Sequence, residues 1–159
     1  MKVLVTGGFG YLGSIAASTL FLRGDEVVIL DNRSRSREDL EQLFNTFSRG
    51  QVTSYIGDIG DSDALNQIFS AHRFDAVIHF AAFKDSAESM CLPLSYYQNN
   101  YDQTALFFEH VLSAGVKRII FSSSAAVYAS SLDSPICEID PCGPVTPYGR
   151  SKLKCEWIL

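Results

Sequence analysis

Short, continuous runs of apolar residues recur along this chain of 159 residues, and longer amphipathic stretches separate them. Such runs, rich in Val and Ile, are typical of parallel strands that are buried on both faces of a sheet. The pattern predicts strands at residues 3–5, 26–30, 52–56, 75–80 and 118–121.

The stretches between these runs carry apolar residues at helical spacing, and Gly24 and Gly115 stand where two of the helices should end. The first predicted helix begins near Gly10, and the others cover residues 37–47, 62–71, 94–114 and 148–159. A loop is predicted at 130–147. The first helix is expected to bury Leu12, Ile15, Ala16, Thr19 and Leu20. The long helix is expected to use Tyr97, Tyr101, Thr104, Ala105, Phe108, Val111 and Leu112 as a core or dimer contact.

Strands that alternate with helices predict right-handed βαβ units and a parallel sheet. The predicted fold class is therefore α/β, a Rossmann-type doubly wound parallel sheet with helices on both faces, and the length fits a single domain over 1–159. Ligands of such a sheet bind at the carboxyl ends of its strands. Residues expected at that edge are Gly7, Asp31, Asp58, Ala81 and Ser124.

Composition narrows the choice of partners. The net charge of −5 argues against nucleic acid or an anionic membrane as the main partner, and no apolar run is long enough to span a bilayer. The four cysteines form no C-x-x-C pair and have no companion histidine spacing, so no metal site is expected and reduced, cytoplasmic thiols are favoured. These cysteines are Cys91, Cys137, Cys142 and Cys155.

The stretch KVLVTGGFGYLG at residues 2–13 combines a strand, a glycine-rich turn and the start of a helix. Gly7, Gly10 and Gly13 are spaced by three, and the stretch contains a G-x-G-x-x-G match. A turn without side chains lets backbone amides and the helix N-terminus approach a pyrophosphate, although the same turn can also occur without a ligand. Asp31 follows the second strand, where a carboxylate binds both ribose hydroxyls and repels a 2′-phosphate. The predicted cofactor is therefore NAD.

Three further features have alternative explanations. Asp58 follows the third strand, where it could bind an adenine amino group or cap the next helix. His79 lies within an apolar strand and is interpreted as a packed core histidine. The basic cluster of Arg33, Arg35 and Arg37 is interpreted as a solvated loop rather than a phosphate site.

Tyr148 and Lys152 are four residues apart in a predicted helix and therefore share one face of it. A lysine cation and a positively charged nicotinamide both favour the phenolate, which makes Tyr148 a candidate general base. Ser124 would hydrogen-bond the same substrate hydroxyl and could relay its proton. Lys152 could also hold the nicotinamide ribose.

Six motifs together resemble the extended short-chain dehydrogenase/reductase family. They are TGGFGYLG, Asp31-Asn32, GDI at 57–59, HFAA at 79–82, SSSAAVY at 122–128 and PYGRSK at 147–152. Two more specific stretches, FKDSAES at 83–89 and PLSYYQNN at 93–100, resemble the UDP-glucose 4-epimerases of that family.

This resemblance implies a role for each matching position. Tyr11 and Leu12 would lie over the pyrophosphate, and the adenosine ribose would be bound by Asp31, Asn32, Arg33, Ser34, Arg35 and Ser36. Asp58 and Ile59 would hold the adenine, and the nicotinamide side would be lined by Phe80, Ala81, Ala82, Lys84 and Asn99. The catalytic residues would be Ser124, Tyr148 and Lys152, and the UDP-sugar would contact Lys84, Ser124 and Tyr148.

The implied activity is that of an isomerase of carbohydrate, and specifically galactose, metabolism, working as a homodimer. The 4′-hydroxyl of a UDP-hexose would lose its proton to Tyr148 and its hydride to NAD, and the 4-ketose would turn over and take the hydride back. A 4,6-dehydratase is the alternative within the family, but dehydratases carry an acidic pair near the position of Ser123 and Ser124.

The carboxyl half of such epimerases supplies the last strands and the UDP-sugar pocket. The resemblance therefore implies that this chain is truncated before the last strands and the substrate domain. It would then be a fragment of an epimerase. The alternatives are a stand-alone NAD-binding module without catalysis and a half-enzyme completed by another chain.

Overall fold

The structure is a computed structural model that describes residues 1–36, 38–129 and 135–159. Arg37 and positions 130–134 of the predicted loop lie outside the described residues. The chain divides into two compact units, the first made of Met1–Ala81 with Leu106–Ser122 and the second of Ala82–Ala105 with Ser123–Leu159. The single-domain expectation stays a prediction.

A parallel sheet forms the centre of the first unit, and its strand order is β3-β2-β1-β4-β5. The strands are β1 Lys2–Thr6, β2 Glu26–Asp31, β3 Thr53–Ile56, β4 Ala76–His79 and β5 Ile119–Phe121. Each lies within two residues of its predicted bounds, and the α/β fold class is confirmed.

The helices that the structure describes are, in chain order, α1 Tyr11–Leu22, α2 Glu38–Phe47, α3 Ser62–Ala71, α4 Ser86–Cys91, α5 Pro93–Tyr97, α6 Gln103–Ser113 and α7 Pro147–Trp157. No helix within these described ranges is long and apolar enough to cross a bilayer. Gly115 ends α6 with φ +79°, and the Val116 amide donates to the carbonyl of Val111, which confirms the predicted helix end.

The sheet of the first unit is covered on both faces. Val3 and Val5 belong to an apolar cluster with Ala17 of α1 and Phe44 of α2. Leu4, between them, belongs to the cluster on the other face, which includes residues of α3 and α6. Because successive strand residues point to opposite faces, this division gives the doubly wound arrangement that the sequence predicts.

The predicted buried face of α1 is partly wrong. Ala16 and Leu20 are half-buried and Leu20 packs against the core, but Thr19 is exposed. Leu12 is 56% exposed and Ile15 50% exposed, whereas Gly13, Ser14 and Ala17 are buried. A Cβ on Gly13 would lie 2.1 Å from the carbonyl oxygen of Gly7, so α1 packs too closely on the glycine turn for a large inward side chain. Leu12 and Ile15 therefore face outward, and Ile15 lines a groove of about 430 Å³ between α1 and α2.

The long helix predicted over 94–114 is confirmed in its bounds, because the chain is helical without a break from Pro93 to Ser113, but it is not a regular α-helix throughout. The structure has α5, then a π-turn at Gln98–Asp102 in which the Gln103 amide donates to the carbonyl of Gln98, and then α6. The sequence interpretation also missed α4, whose first turn is capped by Asp85 accepting from the Glu88 amide. The D-x-x-E spacing of a helix start was the signal for it.

Candidate functional site

The glycine turn of the first unit brings three backbone segments into close contact. Gly7 has φ +68°, and a Cβ there would lie 2.7 Å from the backbone nitrogen of Ala81. The Gly10 amide donates to the carbonyl of Gly7 over 3.0 Å, and Gly10 precedes α1 without a side chain that could cap it. The amides of the first turn of α1 therefore form an end that suits an anionic phosphate group.

Asp31 connects this turn to the carboxyl end of β2. The carboxylate is 7% exposed and accepts from the Phe9 amide over 3.0 Å and from the Arg33 amide over 2.7 Å. Each carboxylate oxygen has a further lone pair, so Asp31 retains acceptor capacity for ribose hydroxyls. The Arg33 guanidinium forms an ion pair with Glu41 of α2.

Asp58 accepts a hydrogen bond on each carboxylate oxygen, one from the loop after β2 and one from its own loop. It accepts from the Asn32 side-chain amide over 2.8 Å and from the Gly60 amide over 2.9 Å. The cap of α3 is Asp61 and not Asp58, which removes the capping explanation. The side chain of Ile59 is buried in the core, so only its backbone is left to contact an adenine.

The remaining predicted cofactor positions of the first unit lie on loops or helix starts. Tyr11 and Leu12 are exposed in the first turn of α1, and Phe80 and Ala81 follow β4. After β2, Asn32, Arg33, Ser34 and Arg35 are exposed and Ser36 is half-buried.

His79 is confirmed as a core residue. It is fully buried, and its Nδ1 lies 2.6 Å from Thr6 Oγ1. Its ring stacks on Phe107 and Phe121.

In the second unit, α7 carries Tyr148 and Lys152 one turn apart. Thr146 caps the helix by accepting from the Gly149 amide over 3.1 Å, and Pro147 opens it. Tyr148 is half-buried. Lys152 is 4% exposed, and burial lowers the pKa of its ammonium to about 8, with Cys155 opposing that shift.

Gly149 explains how α7 meets the turn that follows Ser124. A Cβ on Gly149 would lie 2.3 Å from the carbonyl oxygen of Ala126, which belongs to a 3-10 turn at Ala125–Val127. Ser124 caps that turn, because its Oγ accepts from the Ala126 amide over 3.2 Å. The Ser124 hydroxyl keeps its own proton for donation. The second unit thus brings the Ser124 turn and the Tyr148 helix into contact.

Asn100 is a residue of the second unit that the sequence interpretation missed. It is 1% exposed, and its side-chain amide exchanges two hydrogen bonds of 2.8 Å with the backbone of Phe83, which precedes the exposed Lys84. Its Nδ2 also donates to Ser151 Oγ over 3.3 Å, between Tyr148 and Lys152 on α7. Within the predicted pair of asparagines, the sequence signal pointed to Asn99, whose amide donates to Asn100 Oδ1.

Cys155 completes the attachment of α7 to the π-turn. Its Sγ donates to the carbonyl of Asn100 over 3.0 Å. Burial raises the pKa of the Cys155 thiol to about 11, so the thiol stays protonated and remains a donor at neutral pH. Ala82, Lys84, Asn99, Ser124, Tyr148 and Lys152 all lie in this unit.

Comparison with known proteins identifies the family of the chain. A family model described as the NAD dependent epimerase/dehydratase family matches residues 3–159. The chain is 48% identical over 161 residues to a UDP-glucose 4-epimerase of Erwinia amylovora, with 100% of this chain and 48% of that protein covered. It is 42% identical to the UDP-glucose 4-epimerase of Bacillus subtilis, with 100% of this chain and 47% of that protein covered.

The solved structures that the chain resembles include UDP-glucose 4-epimerases. A UDP-glucose 4-epimerase from Bifidobacterium longum in complex with NAD⁺ and UDP superposes with a TM-score of 0.94 at 36% identity, covering 99% of this chain and 48% of that one. An epimerase from Stenotrophomonas maltophila with bound NAD and formylated UDP-arabinopyranose gives a TM-score of 0.92 at 36% identity, covering 99% of this chain and 47% of that one. The chain thus spans about half the length of the relatives that it matches.

Proposed function

The chain belongs to the NAD dependent epimerase/dehydratase family, and on this premise we propose that it carries the NAD-binding and catalytic residues of a UDP-hexose 4-epimerase. The proposed reaction interconverts UDP-glucose and UDP-galactose. The observation that supports it most directly is the placement of Tyr148 and the buried Lys152 one turn apart on α7, beside the Ser124 turn. The relatives named UDP-glucose 4-epimerase add further support.

The residues of the first unit fit a dinucleotide. The amide end of α1 would hold the pyrophosphate, and the carboxylate of Asp31 would accept from the ribose hydroxyls and repel a 2′-phosphate. Asp58 and the backbone of Ile59 would meet the adenine. When bound, NAD supplies a reversible acceptor for the hydrogen on C4 of the sugar.

Tyr148 acts as the general base in this proposal and takes the proton of the 4′-hydroxyl. At neutral pH most of the Lys152 side chains still carry a positive charge, because the lowered pKa of about 8 lies above 7. A cation in a buried site acts through a low local dielectric, so Lys152 favours the phenolate of Tyr148. Ser124 donates its hydroxyl proton to the reacting oxygen and fixes its orientation.

The UDP-sugar would contact Lys84, Ser124 and Tyr148 among the residues of this chain. Asn100 holds the backbone of Phe83 by two hydrogen bonds, which fixes the position of the neighbouring Lys84 backbone. The Lys84 side chain is exposed and can reach a ligand. The NAD side would also include Phe80, Ala81, Ala82 and Asn99.

We test the proposal with Tyr148→Phe in the full-length protein. The variant lacks the phenol that takes the proton, so kcat should fall by about 10²–10⁴-fold while NAD affinity stays within about twofold. Conversion of UDP-galactose to UDP-glucose is followed by NMR, and NAD binding by calorimetry. Tyr97→Phe is the matched control and should keep the wild-type rate.

An unchanged rate in Tyr148→Phe would remove the tyrosine from the mechanism. NAD binding without any turnover by the wild-type protein would instead support a binding module. Release of a 4-keto-6-deoxy sugar would identify a 4,6-dehydratase.

The proposal extends to assembly and location. A homodimer would use the face of the long helix that carries Tyr97 and Tyr101, which the sequence leaves open as a core or dimer contact. Lys154 lies over these two rings, at 5.2 Å and 4.9 Å. The sedimentation coefficient of the full-length protein decides between monomer and dimer.

A cytoplasmic enzyme of galactose metabolism would be consistent with four cysteines that are all free thiols. Microscopy of a reporter fusion would show where the protein is located, and reporter fluorescence outside the cell would contradict a cytoplasmic location.

A further inference from the structure

Tyr96 is the most deeply buried aromatic residue near the proposed general base. It is 1% exposed, at the centre of the second unit. Its ring meets the ring of Phe83 at 5.5 Å and 63°, and the ring of Tyr148 at 6.4 Å and 84°. Both contacts have the edge-to-face geometry that aromatic pairs prefer.

Two hydrogen bonds fix the hydroxyl of Tyr96. It donates to Glu88 Oε2 over 2.7 Å and accepts from the Asp85 amide over 3.1 Å. A bond to a carboxylate is stronger than one between neutral groups. Burial and the bond to Glu88 raise the pKa of Tyr96 to about 12, so its phenol stays neutral and keeps donating. The Tyr96 ring is therefore fixed at its hydroxyl end by two hydrogen bonds and makes an edge-to-face contact with Tyr148.

These contacts join three separate helices. Glu88 lies in α4, Tyr96 in α5 and Tyr148 in α7. Ser89 of α4 is also buried, and its hydroxyl donates to the carbonyl of Ser86 over 2.7 Å, so α4 offers a defined support for the carboxylate. A chain of fixed groups thus runs from α4 to the ring of Tyr148.

We propose that Tyr96 is a positioning residue for Tyr148, and that Glu88 acts through Tyr96 by holding its ring in place. This inference rests on the proposed function of Tyr148 as a general base. A general base must lie within hydrogen-bond distance of the proton that it accepts. Because the Tyr148 ring packs against the fixed ring of Tyr96, the hydroxyl of Tyr148 is held in one position relative to the substrate. The Tyr96 side chain itself does not touch the substrate in this proposal.

The kinetic test uses the full-length protein and two substitutions at the same position. Tyr96→Leu removes the ring that supports Tyr148, so kcat should fall by about 10- to 100-fold with KM within about twofold. Tyr96→Phe keeps the ring and loses only the bond to Glu88, so it should recover most of the rate, to within about threefold of wild type. A core residue that served stability alone would show no such split between kcat and KM.

The matched control is Phe107→Leu. Phe107 is fully buried in the first unit, and its substitution should lower the melting temperature about as much as Tyr96→Leu does while leaving kcat unchanged. If kcat of Tyr96→Leu falls no further than kcat of Phe107→Leu, the inference is wrong.

A second readout does not require turnover. Proteins with ¹³C-labelled tyrosine rings are compared by NMR, and the signals of Tyr148 are assigned by their loss in Tyr148→Phe. The ring signals of Tyr148 should shift and become more mobile in Tyr96→Leu, and should stay near wild type in Tyr96→Phe and Phe107→Leu. Unchanged Tyr148 signals in Tyr96→Leu would overturn the inference.

The two readouts separate the two proposals. A wild-type protein without epimerase activity contradicts the proposed function, and the NMR arm still decides whether Tyr96 holds the Tyr148 ring. If Tyr96→Leu fails to fold, Tyr96→Met takes its place with the same expected results, because it also removes the ring that contacts Tyr148 and fills more of the space. Glu88→Ala loses the same bond as Tyr96→Phe, so its rate should fall by no more than about threefold, whereas Glu88→Gln still accepts from the Tyr96 hydroxyl and should keep the wild-type rate. A loss in Glu88→Ala as large as that in Tyr96→Leu would overturn the inference, because the ring would then not be the part that supports Tyr148.

Discussion

Lys152 shows what burial does to a single charged side chain. Its pKa in the folded protein, about 8, lies below the ordinary 10.5, chiefly because burial penalises the ammonium. Between these two values the unfolded chain holds a proton that the folded chain has released. The contribution of Lys152 to the free energy of unfolding therefore rises with pH across this window.

Lys152→Met removes this dependence. From pH 8 to pH 9.5 the free energy of unfolding of the wild type, relative to Lys152→Met, should rise by up to about 1.4 kcal/mol per pH unit. Urea unfolding of NAD-free protein at several pH values measures the difference. Parallel pH curves for the two proteins would show that Lys152 keeps an ordinary pKa when folded.

Residues with their own chemistry are easier to predict from sequence than residues that hold them. Tyr148 and Lys152 form a recognisable spacing, and Asp31 follows a strand and a glycine turn. Asn100 acts through a backbone 17 positions away and a serine 51 positions away. Such contacts leave no local pattern, so the sequence pointed to the neighbouring Asn99 instead.

At the scale of elements, the approach of α7 to the turn at Ala125–Val127 depends on Gly149. A Cβ there would lie 2.3 Å from a backbone oxygen, which cannot move aside as a flexible side chain can. Gly149→Ala should destabilise the protein by about 1–3 kcal/mol and lower kcat, because α7 must shift away from the Ser124 turn. Urea unfolding and steady-state kinetics measure both effects.

Gly57→Ala provides the comparison for this variant. A Cβ on Gly57 would make only ordinary contacts of 3.7 Å with side chains of Ala64 and Leu30. Its stability should stay within about 0.5 kcal/mol of wild type. Equal losses in Gly149→Ala and Gly57→Ala would mean that general glycine effects, and not the contact with Ala126, determine the result.

The elements themselves were predictable to different degrees. β1, β2 and β4 are buried on both faces and carry an apolar residue at nearly every position, which is why their bounds were predicted closely. The edge strands β3 and β5 are more exposed than this pattern implies. The orientation of α1 was not predicted correctly, because the small size of Gly13 and Ala17, and not their hydrophobicity, determines which face of the helix packs inward. The π-turn at Gln98–Asp102 changes the hydrogen-bond partner without changing the apolar spacing enough to be noticed.

At the scale of the whole molecule, His72 links the ends of several elements of the first unit. Its Nδ1 lies 3.2 Å from Lys2 Nζ, and its Nε2 lies 2.9 Å from the Tyr55 hydroxyl. Lys2 also pairs with Glu26 over 2.7 Å. Burial, and then the charge of Lys2, lower the pKa of His72 below the ordinary 6.5, while Glu26 opposes the shift.

A lowered histidine pKa gives a stability that is complete above pH 6.5 and declines as the pH falls towards the folded-state pKa. The wild type should therefore lose more stability than His72→Gln between pH 7 and pH 5. Thermal unfolding in buffers of constant ionic strength measures this loss. A larger loss in His72→Gln would mean that the folded protein favours the protonated imidazole.

The strand order also determines when the sheet can form during synthesis. β1 lies in the middle, and its two neighbours pair with it through residues 26–30 and 76–79. A nascent chain on the ribosome can join β1 to β2 early, but the other edge of β1 stays open until His79 has left the exit tunnel. α1 lies between these two strands in the chain and can cover one apolar face of the early pair, so the other face, which α3 and α6 cover later, is the surface that a chaperone would meet first.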